Sequence, residues 1–384
     1  MQSYRTGFVF SHVLGHVTHQ KNLQRHVEAD PSIAARWILI PSRNGGLLDH
    51  LPLVKSHMPL RMSLRARNAI RAHLRQEPFD ALFYHTQITA MLGFRLASRI
   101  PTIVSLDATP IDFAQLGAYH TASQTREADR SGLKFRWNQK VFATAAALVT
   151  CSAWCKRSLV KDYGVAESRV AVIPPGVELS QWQPVQKAPP EGRKTRLLFV
   201  GGDFGRKGGH SLLKAFTDSL TDSCELDIVS NDAPEGSGSI RVHRGLKPNT
   251  PELRKLYADA DLFVFPSRGD CSPVATIEAM ASGLPIVTTD VGALSEQVED
   301  GHNGLVVPPD DAAALASAIK SLASDASRRQ AMGLAGRERA EKWFDGGKNY
   351  RAALALIKRC ADAKQAGETV PDPAAMGLAI PSPK

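Results

Sequence analysis

Two carboxylates, Asp270 and Glu278, stand eight positions apart in PSRGDCSPVATIEAMASGLP, residues 266 to 285. Charged side chains rarely enter an apolar segment without a partner. The run Leu262–Phe265 reads as a buried strand that Pro266 ends, and Ser267–Cys271 form a loop. Ser272 then suits a helix N-cap and Pro273 the first helical position. Val274, Ile277 and Ala281 share one face, which packs on the sheet, while Glu278 falls off it. Gly283 and Pro285 stop the helix. Free N–H groups and the dipole at such a helix start make an anion site suited to phosphate. A carboxylate repels phosphate, so Asp270 and Glu278 should face hydroxyls instead. A nucleotide sugar has hydroxyls on both sides of a diphosphate: Glu278 could take the ribose and Asp270 the sugar. The alternative is a solvated Glu278 and an Asp270 that closes a local Asx turn.

A second anion site lies in LLFVGGDFGRKGGHSLLKAF, residues 197–216, which reads as strand, glycine loop and helix. Its glycines let backbone approach a ligand closely. The spacing is neither the dinucleotide fingerprint nor a P-loop. It adds Arg206 and Lys207, two cations able to neutralise a departing diphosphate; the alternative is an exposed basic turn.

These loops need strands to hold them. Apolar runs at Gly7–Phe10, Trp37–Ile40, Ala81–Tyr84, Thr102–Leu106, Ala147–Thr150 and Val170–Ile173 alternate with helix-length segments, predicting a parallel sheet covered on both faces. The Pro-rich stretch 173–195 interrupts the rhythm, which restarts at Arg196–Val200 and continues through Leu226–Val229, Ile240–His243, Leu262–Phe265 and Pro285–Thr288. The expected plan is an N-terminal Rossmann-like domain over 1–180, a linker at 181–195 and a second Rossmann-like domain over 196–342. A helical segment at 343–364 packs back toward the first domain, and a disordered tail fills 365–384. Ligands in such sheets bind at the carboxyl ends of strands.

Composition sets the class. The chain has 384 residues, 43% hydrophobic and 22% charged, as in a soluble globular protein of two domains. The net charge of +9 is uneven: residues 1–185 carry 22 Lys and Arg against 12 Asp and Glu, and the remainder 25 against 26. A basic front half fits an anionic partner, or simply a basic surface. Five cysteines, an odd number without metal-like spacing, read as buried thiols in a reducing compartment. The N-terminal stretch is too short and polar for a signal peptide, and no apolar run is long enough to span a membrane. A cytoplasmic location is expected, with peripheral contact at the inner face of the membrane as a further option. No aromatic-basic motif points to nucleic acid.

GGDFGRKGG together with DLFVFPSRGDCSPVATIEAMASGLPIVTTDVGALSEQVEDGHNGLVVP resembles glycosyltransferase family 4, retaining enzymes of the GT-B fold. The likeness is dense over roughly 196–310, and AVIPPGVELSQW resembles the family's usual end to its first domain. It implies two Rossmann-like domains facing across a cleft, a nucleoside-diphosphate sugar donor, retention at the anomeric carbon and no metal or other cofactor. The family's paired acids fall on Asp270 and Glu278, so the first is shortened to Asp, and its lysine falls on Lys207. Its usual arginine, five positions before that lysine, falls on Gly202, and the adjacent Arg206 could supply the guanidinium.

In the N-terminal half Gly15 resembles the family's glycine under the donor phosphates. His16 and His19 stand nearby, and either could be a surface polar residue. Asp107 follows a strand and falls where many family members carry a histidine that contacts the transferred sugar; capping through Thr109 is its other role. His85 follows another strand and is a weaker candidate. Arg61, Arg65, Arg67, Arg71 and Arg75 could rest on anionic lipid or an acidic acceptor, or form a solvated face.

The expected catalytic residues are therefore Asp107, Arg206, Lys207 and Asp270. Gly15, Gly202, Arg206, Lys207, Asp270, Cys271, Ser272, Pro273, Val274 and Glu278 are expected to bind the donor, with His16 and His85 on the acceptor side. The expected activity is hexosyl transfer to a hydroxyl acceptor by front-face displacement. No second carboxylate is placed as a glycosidase nucleophile. A GT-B epimerase, and a binding or scaffolding protein that has lost catalysis, remain as rivals.

Overall fold

The computed structural model describes residues 3–12, 14–41, 57–116, 132–185 and 192–377. The chain divides into two compact units, whose boundaries in the main body fall at Pro175/Gly176 and Gly346/Gly347.

In the first unit six parallel strands form one sheet in the order β2-β1-β3-β4-β5-β6. They are β1 (Tyr4–His12), β2 (Ile33–Pro41), β3 (Ala81–His85), β4 (Thr102–Leu106), β5 (Ala147–Thr150) and β6 (Val170–Val172). Strands β3, β4 and β5 are buried at every position, as their unbroken apolar runs require of strands covered on both faces. One face packs with Met62, Ala66 and Ile70 of the helix Met58–Leu74. The other packs with Tyr350, Leu354, Ile357 and Cys360 of the C-terminal helix Gly346–Ala366.

The second unit repeats the plan with β7 (Thr195–Val200), β8 (Cys224–Val229), β9 (Ile240–His243), β10 (Leu262–Phe265), β11 (Ile286–Thr289) and β12 (Gly304–Val307), all parallel, in the order β12-β11-β10-β7-β8-β9. Strand β12 is an edge strand that the sequence reading missed. It is four residues long and half-buried, too short to show a period of its own.

Three expectations change. The linker proposed for 181–195 is anchored at its start: Trp182 is buried in the second unit's core, packed edge-on against Tyr257 at 5.1 Å. Residues 186–191 of it lie outside the described residues. The tail expected to be disordered from 365 is instead described to Gly377, through a short 3-10 helix at Pro373–Met376. There Met376 packs on the same apolar cluster as the C-terminal helix, which gives the segment the burial that its composition does not advertise. Lastly, Arg61 and Arg65 are buried, with Arg65 donating to the Pro41 carbonyl at 2.7 Å, whereas Arg71 and Arg75 are exposed. The arginines of 61–75 are therefore no continuous lipid-facing stripe. Among the described residues no helix is long and apolar enough to cross a membrane.

Candidate active site

Each sheet has one place where successive connections leave in opposite directions, the crevice where open α/β sheets hold ligands. In the second unit it lies between β7 and β10. The loop after β7 is the glycine loop, and the loop after β10 is Pro266–Pro273. Sheet order thus brings together two segments that are about sixty residues apart in sequence.

The two loops are clamped at the backbone. Arg268 N–H donates to the Arg206 carbonyl at 2.9 Å. Gly208 caps the helix Gly209–Ser219 at φ +79°, and a Cβ there would sit 1.8 Å from the Pro266 carbonyl oxygen, so only glycine fits. Gly292 holds the other side at φ +59°, where a Cβ would lie 1.9 Å from the Asp270 carbonyl oxygen.

On this frame stand the charged side chains. Lys207 Nζ contacts Asp270 Oδ2, and it lies 5.2 Å from the Phe265 ring centroid. Arg206 is held three ways: Nε donates to Asp203 Oδ2 at 3.0 Å, its N–H to Asp203 Oδ1 at 3.1 Å, and Nη1 to the Gly269 carbonyl at 2.6 Å. Its Nη1 is 3.9 Å from Asp270 Oδ2. Burial, and then the neighbouring guanidinium, push the Lys207 ammonium down. The site thus concentrates two cations beside one strand end, each already faced by a carboxylate.

Asp270 Oδ1 accepts from the N–H of the next residue, Cys271, at 3.1 Å, one residue short of the Asx turn considered above, and its Oδ2 meets Lys207, a cationic contact that was not anticipated. Glu278 is not solvated. It is 4% exposed, and its Oε2 accepts from the Tyr257 hydroxyl at 2.9 Å. Burial pushes its carboxyl up to about 7, against the opposing pull of that hydrogen bond.

The helix start is one residue later than expected. The helix runs Val274–Ala281 with Pro273 as its N-cap. Ser272 does not cap it, because its hydroxyl accepts from Gln297 Nε2 at 3.1 Å. Gly202 is exposed in the glycine loop, which leaves Arg206 as the guanidinium of this site. Tyr257, Asp203, Gln297 and Gly292 were not anticipated. Tyr257 lies outside the motif stretches already quoted and reaches the site only through tertiary packing, whereas Asp203, Gly292 and Gln297 lie inside them.

In the first unit the direction reverses between β1 and β3. His16 follows β1, His85 ends β3 and Asp107 follows β4. His16 Nε2 is 3.4 Å from Asp107 Oδ2, and its ring lies edge-on to His85 at 4.6 Å. Ser11 Oγ holds His16 Nδ1 at 2.5 Å, and Ser105 Oγ lies 3.3 Å from His85 Nδ1. Burial alone would raise the Asp107 carboxyl, but the hydrogen bond and charge of His16, then His85, hold it well below the usual carboxylate range. His19 is no surface residue: it is buried beside His85, with Nδ1 3.2 Å from the Tyr350 hydroxyl, and burial lowers it to about 4. Burial, then the nearby imidazoles, lower His85 as well. Asp107 does not cap through Thr109. Thr109 instead exchanges hydrogen bonds with Asp112, and Asp107 Oδ1 takes the Ala108 N–H at 2.9 Å. Gly15 lies in the first turn of the helix Leu14–Glu28 rather than in a loop.

Residues 26–181 match the family model described as Glycosyltransferase Family 4, and residues 194–325 the one described as Glycosyl transferases group 1. The chain belongs to glycosyltransferase family 4. The D-inositol 3-phosphate glycosyltransferase of Nocardia farcinica is 27% identical over 336 residues, covering 80% of this chain and 71% of that protein. Among solved structures, sucrose-phosphate synthase from Thermosynechococcus elongatus aligns with a TM-score of 0.77 at 17% identity, over 94% of this chain and 100% of that one. Anabaena HepE in complex with UDP and glucose aligns at 0.65 and 14% identity, over 91% and 99%. These likenesses carry the GT-B fold: two Rossmann-like units, each a parallel six-stranded sheet. As a family 4 glycosyltransferase, the chain places its motif lysine and the first of its two motif acids at one strand-end crevice, and buries the second, Glu278, against Tyr257 on the helix that follows.

Proposed function

We propose that the protein is a retaining hexosyltransferase that moves a sugar from a nucleoside diphosphate to a hydroxyl acceptor. The observation that carries this reading is the pairing of Arg206 and Lys207 beside Asp270 at the crevice of the second sheet. In this reading the two cations, without a metal ion, take the charge that builds on the departing diphosphate. Glu278 accepts from the ribose hydroxyls. Asp270 accepts from the sugar, and Asp107, kept ionised by His16, accepts from a further hydroxyl of sugar or acceptor.

The acceptor oxygen attacks the anomeric carbon on the face from which the diphosphate leaves. The carbon–oxygen bond to phosphate breaks, the new glycosidic bond forms, and the acceptor proton passes to a phosphate oxygen. Orientation and electrostatics supply most of the rate.

Anabaena HepE is solved in complex with UDP and glucose, and the Nocardia relative is a D-inositol 3-phosphate glycosyltransferase. UDP-sugars are therefore the first donors to test, and a phosphorylated cyclitol is one acceptor among several. The proposed setting is the cytoplasm, with exposed Arg71 and Arg75 available to an anionic surface.

The test is turnover with a panel of nucleotide sugars and hydroxyl acceptors, with product stereochemistry read by NMR. Retention, abolished by Glu278→Ala and by Lys207→Ala in folded protein, is expected. Inversion, or full turnover in both variants, sinks the reading. Binding without turnover across the panel supports the scaffolding alternative instead.

A further inference from the structure

We infer that Asp270 is the counter-ion of Lys207: it pairs with Lys207 until a diphosphate displaces it, and it takes Lys207 back when the sugar is gone, favouring release of the nucleoside diphosphate product. This rests on the donor reading above and adds a role in selecting substrate over product.

The two cations are not equivalent. Arg206 is tied to Asp203 at two points and to the Gly269 carbonyl, so its position does not depend on Asp270. For Lys207 the only carboxylate in contact among the described residues is Asp270. A buried ammonium without an anion is costly, and so is a buried carboxylate without donors. Asp270 is 8% exposed, so it cannot turn to water. Its backbone cannot retreat either, because Gly292 lies against its carbonyl. The exchange is therefore confined to the Asp270 side chain.

A diphosphate carries more charge than one carboxylate and outcompetes it for Lys207. Asp270 is then left with one hydrogen-bond donor, the Cys271 N–H, and with the Arg206 guanidinium at 3.9 Å, beyond hydrogen-bonding distance. The sugar hydroxyls of an intact donor make up the loss. The nucleoside diphosphate left after transfer has none to offer, so the carboxylate competes with it for Lys207. An intramolecular competitor of this kind weakens the product more than the substrate, as a coupling free energy between the two contacts.

The experiment is calorimetric titration of the full chain with UDP, ADP and inorganic pyrophosphate, for wild type, Asp270→Asn, Lys207→Ala and the double variant. Asp270→Asn should bind these sugar-free ligands more tightly, by about tenfold, within the range of intramolecular coupling. The gain should vanish in the Lys207→Ala background. Asp270→Ser serves as the second variant if the amide disturbs folding, checked by circular dichroism. Binding by wild type that is unchanged or weakened in both Asp270 variants overturns the counter-ion role and leaves the donor reading standing. A gain that persists without Lys207 also overturns it. Failure of wild type to bind any of the three probes removes the donor reading and this inference together.

Discussion

At the crevice of the second sheet two cations lie among carboxylates; at that of the first a carboxylate lies among imidazoles. The sheets are otherwise close relatives, six parallel strands each, with one reversal of direction. They differ in strand order beside that reversal. In the second sheet the β7-β8-β9 run leads away on one side and β10-β11-β12 on the other. In the first, only β2 lies beyond β1. The difference in charge matters more. Arg206 is a permanent attraction for an anion and Lys207 adds to it when protonated, with Asp203 and Asp270 facing them. Asp107, kept ionised by His16, repels an anion and accepts only from a donor group such as a hydroxyl. Similar strand-end geometry thus presents opposite chemistry, fixed by which residue follows the strand.

The sharpest way to break this contrast is Lys207→Ala. Transfer should fall on the order of 10³-fold, as for loss of a group facing transition-state charge, while the melting temperature holds. Steady-state rates and calorimetry check it, and a small loss would mean that the second crevice is not the anion side.

Glu278→Gln tests the buried acid. The folded protein holds this carboxyl near 7 against an ordinary 4.5, so the protonated form is favoured by folding. The stability it contributes is fully present below about 4.5 and is lost as pH rises through 7. The neutral glutamine escapes that loss. The variant should match wild type at low pH and exceed it above pH 7 by on the order of 3 kcal/mol, the size implied by a shift of this extent. Unfolding curves across pH measure this, and a constant offset would show that Glu278 does not titrate in that window.

Gly292→Ala should cost about 1–3 kcal/mol, because the backbone is left-handed there and the Asp270 carbonyl fills the space. Donor affinity should fall with it, whereas binding of acceptor analogues should not. His16→Ala, in the first unit, should lower kcat/KM about tenfold, the low end for losing a group that orients a polar ligand. The acid side of its pH profile should also move to higher pH, because burial then raises Asp107 with less to oppose it. An unmoved profile would detach His16 from Asp107. The smallest effect is expected from Arg71→Ser and Arg75→Ser. Both side chains are exposed, and unfolding should show changes within about 0.5 kcal/mol.

Much of the fold was legible because its signals are local. Continuous apolar runs such as Ala81–Tyr84 and Thr102–Leu106 announce strands covered on both faces, and the glycine loop and the Ser-Pro turn announce strand-end loops. The site was legible as two motifs, not as one set of contacts. Glu278 read as equally able to be solvated, since helical periodicity places it off the apolar face. Only Tyr257, twenty-one positions earlier, decides that it is buried. His19 likewise reads as polar surface until the C-terminal helix brings Tyr350 over it.

The sequence by itself determined the alternating strands and helices, two domains, the cations of the glycine loop and the spacing of the two acids. These depend on residue type and near neighbours. Tertiary structure alone decided that Arg206 is held by the Gly269 carbonyl, that Lys207 meets Asp270, and that Asp107 lies beside His16 and His85. Each of these rests on burial and on strand order, which bring distant segments within hydrogen-bonding distance and remove the water that would otherwise screen them.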